Sequence, residues 1–67
     1  MDMTFGLWPA ELMLRLSKES RRVLRVMEVE SERERSMILK KAAQLADEKR
    51  EKTIRKWAIE KAHKELH

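Results

Sequence analysis

Cysteine and tyrosine are absent from this sequence of 67 residues, which has a single glycine, Gly6, and a single proline, Pro9. The absence of cysteine excludes disulfide bonds and zinc sites built on thiolates. The scarcity of glycine excludes collagen-like and linker sequences as well as glycine-rich phosphate-binding loops. No apolar run approaches the roughly 18–20 residues that a membrane-spanning helix needs. We expect a helix-rich chain and favour an intracellular, reducing compartment, which the lack of cysteine permits.

Few residues are suited to enzymatic chemistry. Nucleophilic catalysis needs a nucleophile beside an oriented base, and the serines all lie in helix-forming or capping contexts. His63 and His67 are four residues apart, a spacing that can place both on one helix face. Glu60 and His63 also form a Glu-x-x-His pair of the kind found in di-iron bundles, which need further carboxylates. No third ligand is evident, and we expect a non-enzymatic protein without a metal, cofactor or small-molecule substrate.

The remaining residues favour helix. From Ala10 onward the chain contains neither glycine nor proline, and Ala, Leu, Met, Glu, Lys and Arg dominate it. These are the strong helix formers. Pro9 suits the first position of a helix, and Glu11 would then lie in the first turn, where the helix dipole favours an acid. The sequence therefore predicts an all-α protein whose first helix begins near residue 9.

A charged stretch around residue 30 divides the apolar pattern into two parts. Ser31 and Glu34 have the spacing of a capping box, which marks the start of a new helix. We predict one helix over about 9–29 and a second over about 32–66, together forming a single domain over 9–67. The two would form a helical hairpin or long bent helices. The predicted core comprises Leu12, Leu16, Val23, Met27, Ile38, Ala42 and Leu45.

Two apolar segments lie outside this core pattern. Residues 1–8 are too apolar for an ordinary tail, and we predict a strap that packs on the helices or inserts into a partner or lipid surface. After a polar stretch, apolar residues recur at helical spacing from Ile54 to Leu66, which indicates a second contact patch away from the core. Tryptophan contributes strongly to interfaces. The candidate partner-interface residues are Phe5, Leu7, Trp8, Ile54 and Trp57.

The length of the chain favours association. A domain of this size is marginally stable by itself, and docking on a partner or a second copy would remedy that. We therefore predict a protein–protein interaction module. It would be an accessory or assembly subunit of a larger complex, or a homo-oligomer.

The net charge of +4 suggests two further classes of partner. Residues 1–30 carry five positive and five negative groups, whereas residues 31–67 carry eleven positive and seven negative groups. Basic clusters can bind nucleic acid through phosphate contacts, although a solvated helix face gives the same pattern. Basic residues beside the apolar N-terminal segment would also suit peripheral membrane contact. The candidate nucleic-acid contacts in the second half are Lys49, Arg50 and Lys52.

One part of the chain resembles a known family. Leu12-Met-Leu-Arg-Leu-Ser17 alternates as a β-strand would, and Ser36-Met-Ile-Leu-Lys-Lys-Ala42 is similar to the start of the second helix of ribbon-helix-helix DNA-binding repressors. The resemblance covers residues 12–46. It implies a dimer whose paired strands enter the major groove with Met13 and Arg15 facing DNA, and hence an alternative function as a transcriptional regulator. The two helices that it implies would cover residues 18–30 and 34–46.

Overall fold

A computed structural model describes residues 11–67 of the protein. Residues 11–14 are helical, and three helices follow: α1 at Lys18–Val26, α2 at Glu32–Glu48 and α3 at Lys56–Leu66. Within this part of the chain there is no β-strand, and the all-α prediction is confirmed. None of these helices is long and apolar enough to cross a membrane.

The helix predicted over about 9–29 is interrupted before α1, so that prediction is wrong at this point. Leu16 instead pairs with Ile54 in an isolated parallel β-bridge. The amide of Ser17 donates to the carbonyl of Ile54 at 3.1 Å, and the amide of Ile54 donates to the carbonyl of Arg15 at 2.8 Å. Helix propensities differ by only a few tenths of a kcal/mol among these residue types, so this long-range pairing overrides the local preference.

Ser17 and Ser20 form the start of α1. The hydroxyl oxygen of Ser17 accepts a hydrogen bond from the Ser20 amide at 3.1 Å, as an N-cap does. The side chain of Ser20 is fully buried, and its hydroxyl lies 2.7 Å from the carbonyl oxygen of Ile54. A buried hydroxyl without a partner would cost about 1–3 kcal/mol. The contact with Ile54 therefore allows a polar residue within the apolar stripe of α1.

The predicted capping box marks the start of α2, as expected. The hydroxyl of Ser31 accepts a hydrogen bond from the Glu34 amide at 3.3 Å. The carboxylate of Glu34 accepts one from the amide of Glu30 at 2.9 Å. Arg35 extends back from α2, and its cationic side chain satisfies the last carbonyls of α1, as favoured at a helix C-terminus. The carbonyls that it contacts belong to Leu24, Arg25 and Met27.

The helix predicted over about 32–66 ends early, so this prediction is wrong beyond the end of α2. Arg50 adopts a left-handed conformation with φ of 59°. Its amide donates to the carbonyl of Asp47 at 2.9 Å, and the amide of Glu51 donates to the carbonyl of Ala46 at 2.9 Å. These two bonds define a Schellman motif, which usually places glycine at the left-handed position. The sequence contains no glycine there that would have indicated the break.

The chain reverses direction at Arg50, and α3 therefore packs against the core. The predicted core residues are confirmed, since Leu16, Ile38, Ala42 and Leu45 are buried and Leu12, Val23 and Met27 pack half-buried against the core. Contrary to the prediction, the first helix does not pack mainly on the second; α1 and α2 each pack mainly against α3. The predicted contact patch away from the core is wrong for its buried members, which are Ile54, Ala58 and Ala62. Alanines on the facing sides of α2 and α3 allow a close approach of the two helices.

Candidate functional site

The structure describes two of the five predicted partner-interface residues. The predicted strap over residues 1–8, with Phe5, Leu7 and Trp8, lies outside the described residues. The prediction for Ile54 is wrong, because its side chain is 0% exposed and its backbone forms the bridge to Leu16. Trp57 is half-buried against the core. The Nζ atom of Lys49 lies 5.6 Å from the centre of the Trp57 ring, a cation–π arrangement.

Of the candidate nucleic-acid contacts, Arg15 binds the loop between α2 and α3 that contains Lys49, Arg50 and Lys52, whereas Met13 lines the cleft beside α1. The Nε atom of Arg15 donates to the carbonyl of Lys52 at 2.8 Å. Its Nη2 atom donates to the carboxylate of Asp47 at 2.7 Å and to the carbonyl of Glu51 at 3.3 Å. We call Arg15 with these three partners the Arg15 clamp. Met13 is 44% exposed. Lys49, Arg50 and Lys52 are all exposed in this loop, and so is Arg55 just before α3.

The elements implied by the family resemblance are present in part. The two implied helices overlap α1 and α2, whereas residues 11–14 are helical where the ribbon requires a strand. The guanidinium of Arg15 is directed at the loop after α2. Membership of the ribbon-helix-helix family stays a prediction.

An open groove lies between the helical turn at residues 11–14, α2 and α3, with a volume of about 520 Å³. Its apolar lining comes from Leu12, Met37, Ala43 and Leu66. The exposed fraction is 49% for Met37 and 39% for Leu66, so this is a surface channel and not an enclosed cavity. We call it the Leu12–Met37–Leu66 groove. Its polar lining comes from Arg15, Lys40, Lys41, Gln44 and Asp47.

A second cleft, of about 440 Å³, lies between residues 11–14, α1 and α2. Its rim carries arginines, but two of them bind carbonyls of the chain itself. Arg21 donates to the carbonyl of Met13 at 3.2 Å, and Arg35 contacts the end of α1. These contacts orient the guanidinium groups toward the backbone. The cleft is therefore a junction between helices, in which these two arginines bind the chain itself.

A cluster of three potential metal-binding side chains lies between the start of α2 and the end of α3. Glu34, His63 and His67 each offer a potential ligand atom, and these atoms all lie within 4.8 Å of one another. The rings of His63 and His67 are 4.5 Å apart between centres. The Nε2 atom of His67 lies 2.5 Å from a carboxylate oxygen of Glu34. Sequence spacing identified the histidine pair but missed Glu34, because that residue belongs to a different helix.

Hydrogen bonds and neighbouring charge set the electrostatics of this cluster. The amide of Glu30 donates to the Glu34 carboxylate and is the main cause of a pKa of Glu34 below its usual value. Partial desolvation of Glu34 opposes this, whereas the contact with His67 and the charges of both histidines lower its pKa further. The carboxylate is thus held in its anionic form.

Comparison with known proteins gives no further guide. No protein-family model matches the sequence, and no curated protein or solved structure is similar to it at a significant level.

Proposed function

We propose that this chain is a non-enzymatic, helical protein–protein interaction module, an accessory or assembly subunit that binds a helix of a partner protein. The observation that carries the proposal is the Leu12–Met37–Leu66 groove. It is an apolar channel formed by three separate elements, and two of its large side chains are exposed. An amphipathic helix typically binds by inserting its apolar face into such a groove.

The elements that form the groove are fixed by contacts within the chain. The Arg15 clamp holds the segment after Leu12 against the loop that ends α2. Lys41 and Glu65 form an ion pair at 3.3 Å between α2 and α3. A preorganised surface loses less conformational entropy on binding. Met37 adds adaptability, since methionine adjusts its shape to the groups that it contacts.

The apolar lining of the groove indicates the chemistry of the partner. Three basic residues and one acid, Asp47, also contribute to the lining, but Arg15 is paired with Asp47 and Lys41 with Glu65. These charges are therefore largely balanced within the chain, and the apolar side chains supply the binding surface. We infer that the apolar face of an amphipathic helix is the occupant.

The proposal is tested with Met37→Glu, which introduces a charge into the groove at an exposed position. Tagged wild-type and variant chains are expressed in cells of the source organism, and co-purifying proteins are quantified by mass spectrometry. We expect one partner to be depleted at least tenfold by Met37→Glu, since burying an unpaired charge at an interface costs several kcal/mol.

Val26→Glu provides the matched control. Val26 is 71% exposed and lies on α1, outside the groove. We expect this variant to retain the partner at the wild-type level. Circular dichroism of both purified variants verifies that the helices are intact. The proposal fails if every protein retained by the wild type is retained equally by Met37→Glu.

Duplex DNA binding by a dimer is the second candidate. Its support is the exposed basic loop of Lys49, Arg50 and Lys52, which lies beside Arg15. This hypothesis predicts binding that weakens steeply with salt concentration. A fluorescence anisotropy titration of random-sequence duplex at low and high salt distinguishes it from the helix-binding proposal.

A further inference from the structure

We propose that Glu34, His63 and His67 bind a divalent transition-metal ion of the zinc class, which joins the start of α2 to the end of α3. Glu34 lies in the first turn of α2, whereas His63 lies in the last turn of α3 and His67 is its C-cap residue, 33 residues after Glu34. The fold brings their ligand atoms within 4.8 Å of one another. This site is independent of the proposed interaction groove.

The donor set determines the class of ion. Imidazole nitrogen suits Zn²⁺, Ni²⁺ and Cu²⁺, whereas Mg²⁺ and Ca²⁺ prefer oxygen ligands. Two histidines and one carboxylate are a known ligand set for zinc, with a water molecule in the fourth position. His63 lies in the last turn of α3 and His67 is its C-cap residue, and their rings lie 4.5 Å apart between centres. Both imidazoles can therefore turn toward one ion.

The carboxylate of Glu34 is already oriented for metal binding. One oxygen of Glu34 accepts the Glu30 amide at 2.9 Å, while the other lies beside the Nε2 atom of His67. Outer hydrogen bonds of this kind fix the orientation of metal-binding carboxylates. Glu28 and Glu30 line the adjoining cavity of about 210 Å³. Their negative charges favour the approach of a cation.

Binding of an ion requires only a small rearrangement of the three side chains. Tetrahedral ligand atoms about 2.1 Å from an ion lie about 3.4 Å apart. The contact of 2.5 Å between Glu34 and His67 would therefore open by about 1 Å. Two ligand atoms separated by the full 4.8 Å would have to approach each other by a little more than 1 Å. Rotations about side-chain torsions supply such movements, and the helices keep their positions.

The test is a titration of the untagged full chain with Zn²⁺ alone, followed by competition with a chromophoric chelator. We expect saturable binding of one ion per chain. Glu34→Gln, His63→Ala and His67→Ala should each weaken binding at least tenfold. Glu60→Gln is the matched control, because Glu60 precedes His63 by one turn but pairs with Lys56 at 3.9 Å. It should bind Zn²⁺ within twofold of the wild type.

A second measurement needs no variant. Cu²⁺ broadens the NMR signals of nearby residues, and we expect it to broaden the amides of residues 30–35 together with those of 63–67 in the wild-type chain. Broadening confined to 63–67 would show that the histidines bind metal without Glu34 and would overturn the proposal. Equal affinities of wild type and Glu34→Gln, or no saturable Zn²⁺ binding, would overturn it as well.

Discussion

Arg15 connects parts of the chain that are distant in sequence. Its guanidinium hydrogen-bonds two backbone carbonyls of the loop after α2 and the carboxylate of Asp47. The side chain of Asp47 is 63% exposed, and an exposed ion pair contributes little. The carbonyls of Glu51 and Lys52 are therefore the main partners. Through them, Arg15 fixes the loop whose Ile54 completes the core.

Replacement of this arginine should destabilise the fold. We expect Arg15→Ala to lower the free energy of unfolding by about 1–2 kcal/mol, because hydrogen bonds from a charged donor are lost. Urea denaturation followed by circular dichroism measures the change. Arg22→Ala, at an exposed position on α1, should remain within about 0.5 kcal/mol of the wild type. Equal stability of the two variants would contradict a structural role for Arg15.

The same variant separates the two functional hypotheses. Arg15→Ala with wild-type stability and abolished duplex binding would favour the ribbon-helix-helix alternative, in which Arg15 faces DNA. Arg15→Ala with reduced stability is the result that the clamp predicts. Sequence reasoning could not choose between these roles, because the partners of Arg15 lie more than thirty residues away.

At the scale of elements, Arg50 ends α2 in a conformation that costs energy. A left-handed conformation costs a non-glycine residue about 1–2 kcal/mol, and glycine adopts it without that cost but with more entropy in the unfolded chain. We expect Arg50→Gly to raise the free energy of unfolding by about 0.5–1 kcal/mol, measured by thermal and urea denaturation.

Lys52→Gly controls for the entropy of glycine in the same loop. Arg50 is the only non-glycine residue with positive φ among residues 11–67, so Lys52 gains nothing from the substitution. It should lose about 0.5–1 kcal/mol of stability. Destabilisation by Arg50→Gly of the same size as by Lys52→Gly would contradict the Schellman ending.

Local sequence signals predicted the break between α1 and α2, the start of α2 and much of the core, but not the breaks before α1 and after α2. Ser31 and Glu34 marked the start of α2 because capping depends on neighbouring residues. The bridge between Leu16 and Ile54 depends on a contact across the whole chain, which no local pattern encodes. The burial of Ser20 likewise depends on a distant residue, because its hydroxyl donates to the carbonyl of Ile54.

At the scale of the whole molecule, the candidate sites form because α3 folds back and packs against α2 and α1. That return buries Ile54, which the sequence pattern had suggested for a partner interface, and places Leu66 at the groove that contains Met37. It also brings the histidines of α3 to Glu34. Sequence periodicity identified the apolar residues of each helix. Which of those in α3 are buried and which are exposed depends on the reversal of the chain at Arg50, which periodicity does not predict.

Site-specific photo-crosslinking is the measurement that most directly tests the proposal that the Leu12–Met37–Leu66 groove binds a partner helix. A photoreactive amino acid replaces Met37 in one version of the chain and Val26 in another, and adducts are identified by mass spectrometry in cells of the source organism. We expect a specific adduct from position 37, linked to an amphipathic helical segment, and none from position 26. An adduct with a second copy would establish self-association instead. Identical adducts from both positions, or none from position 37, would contradict the proposal.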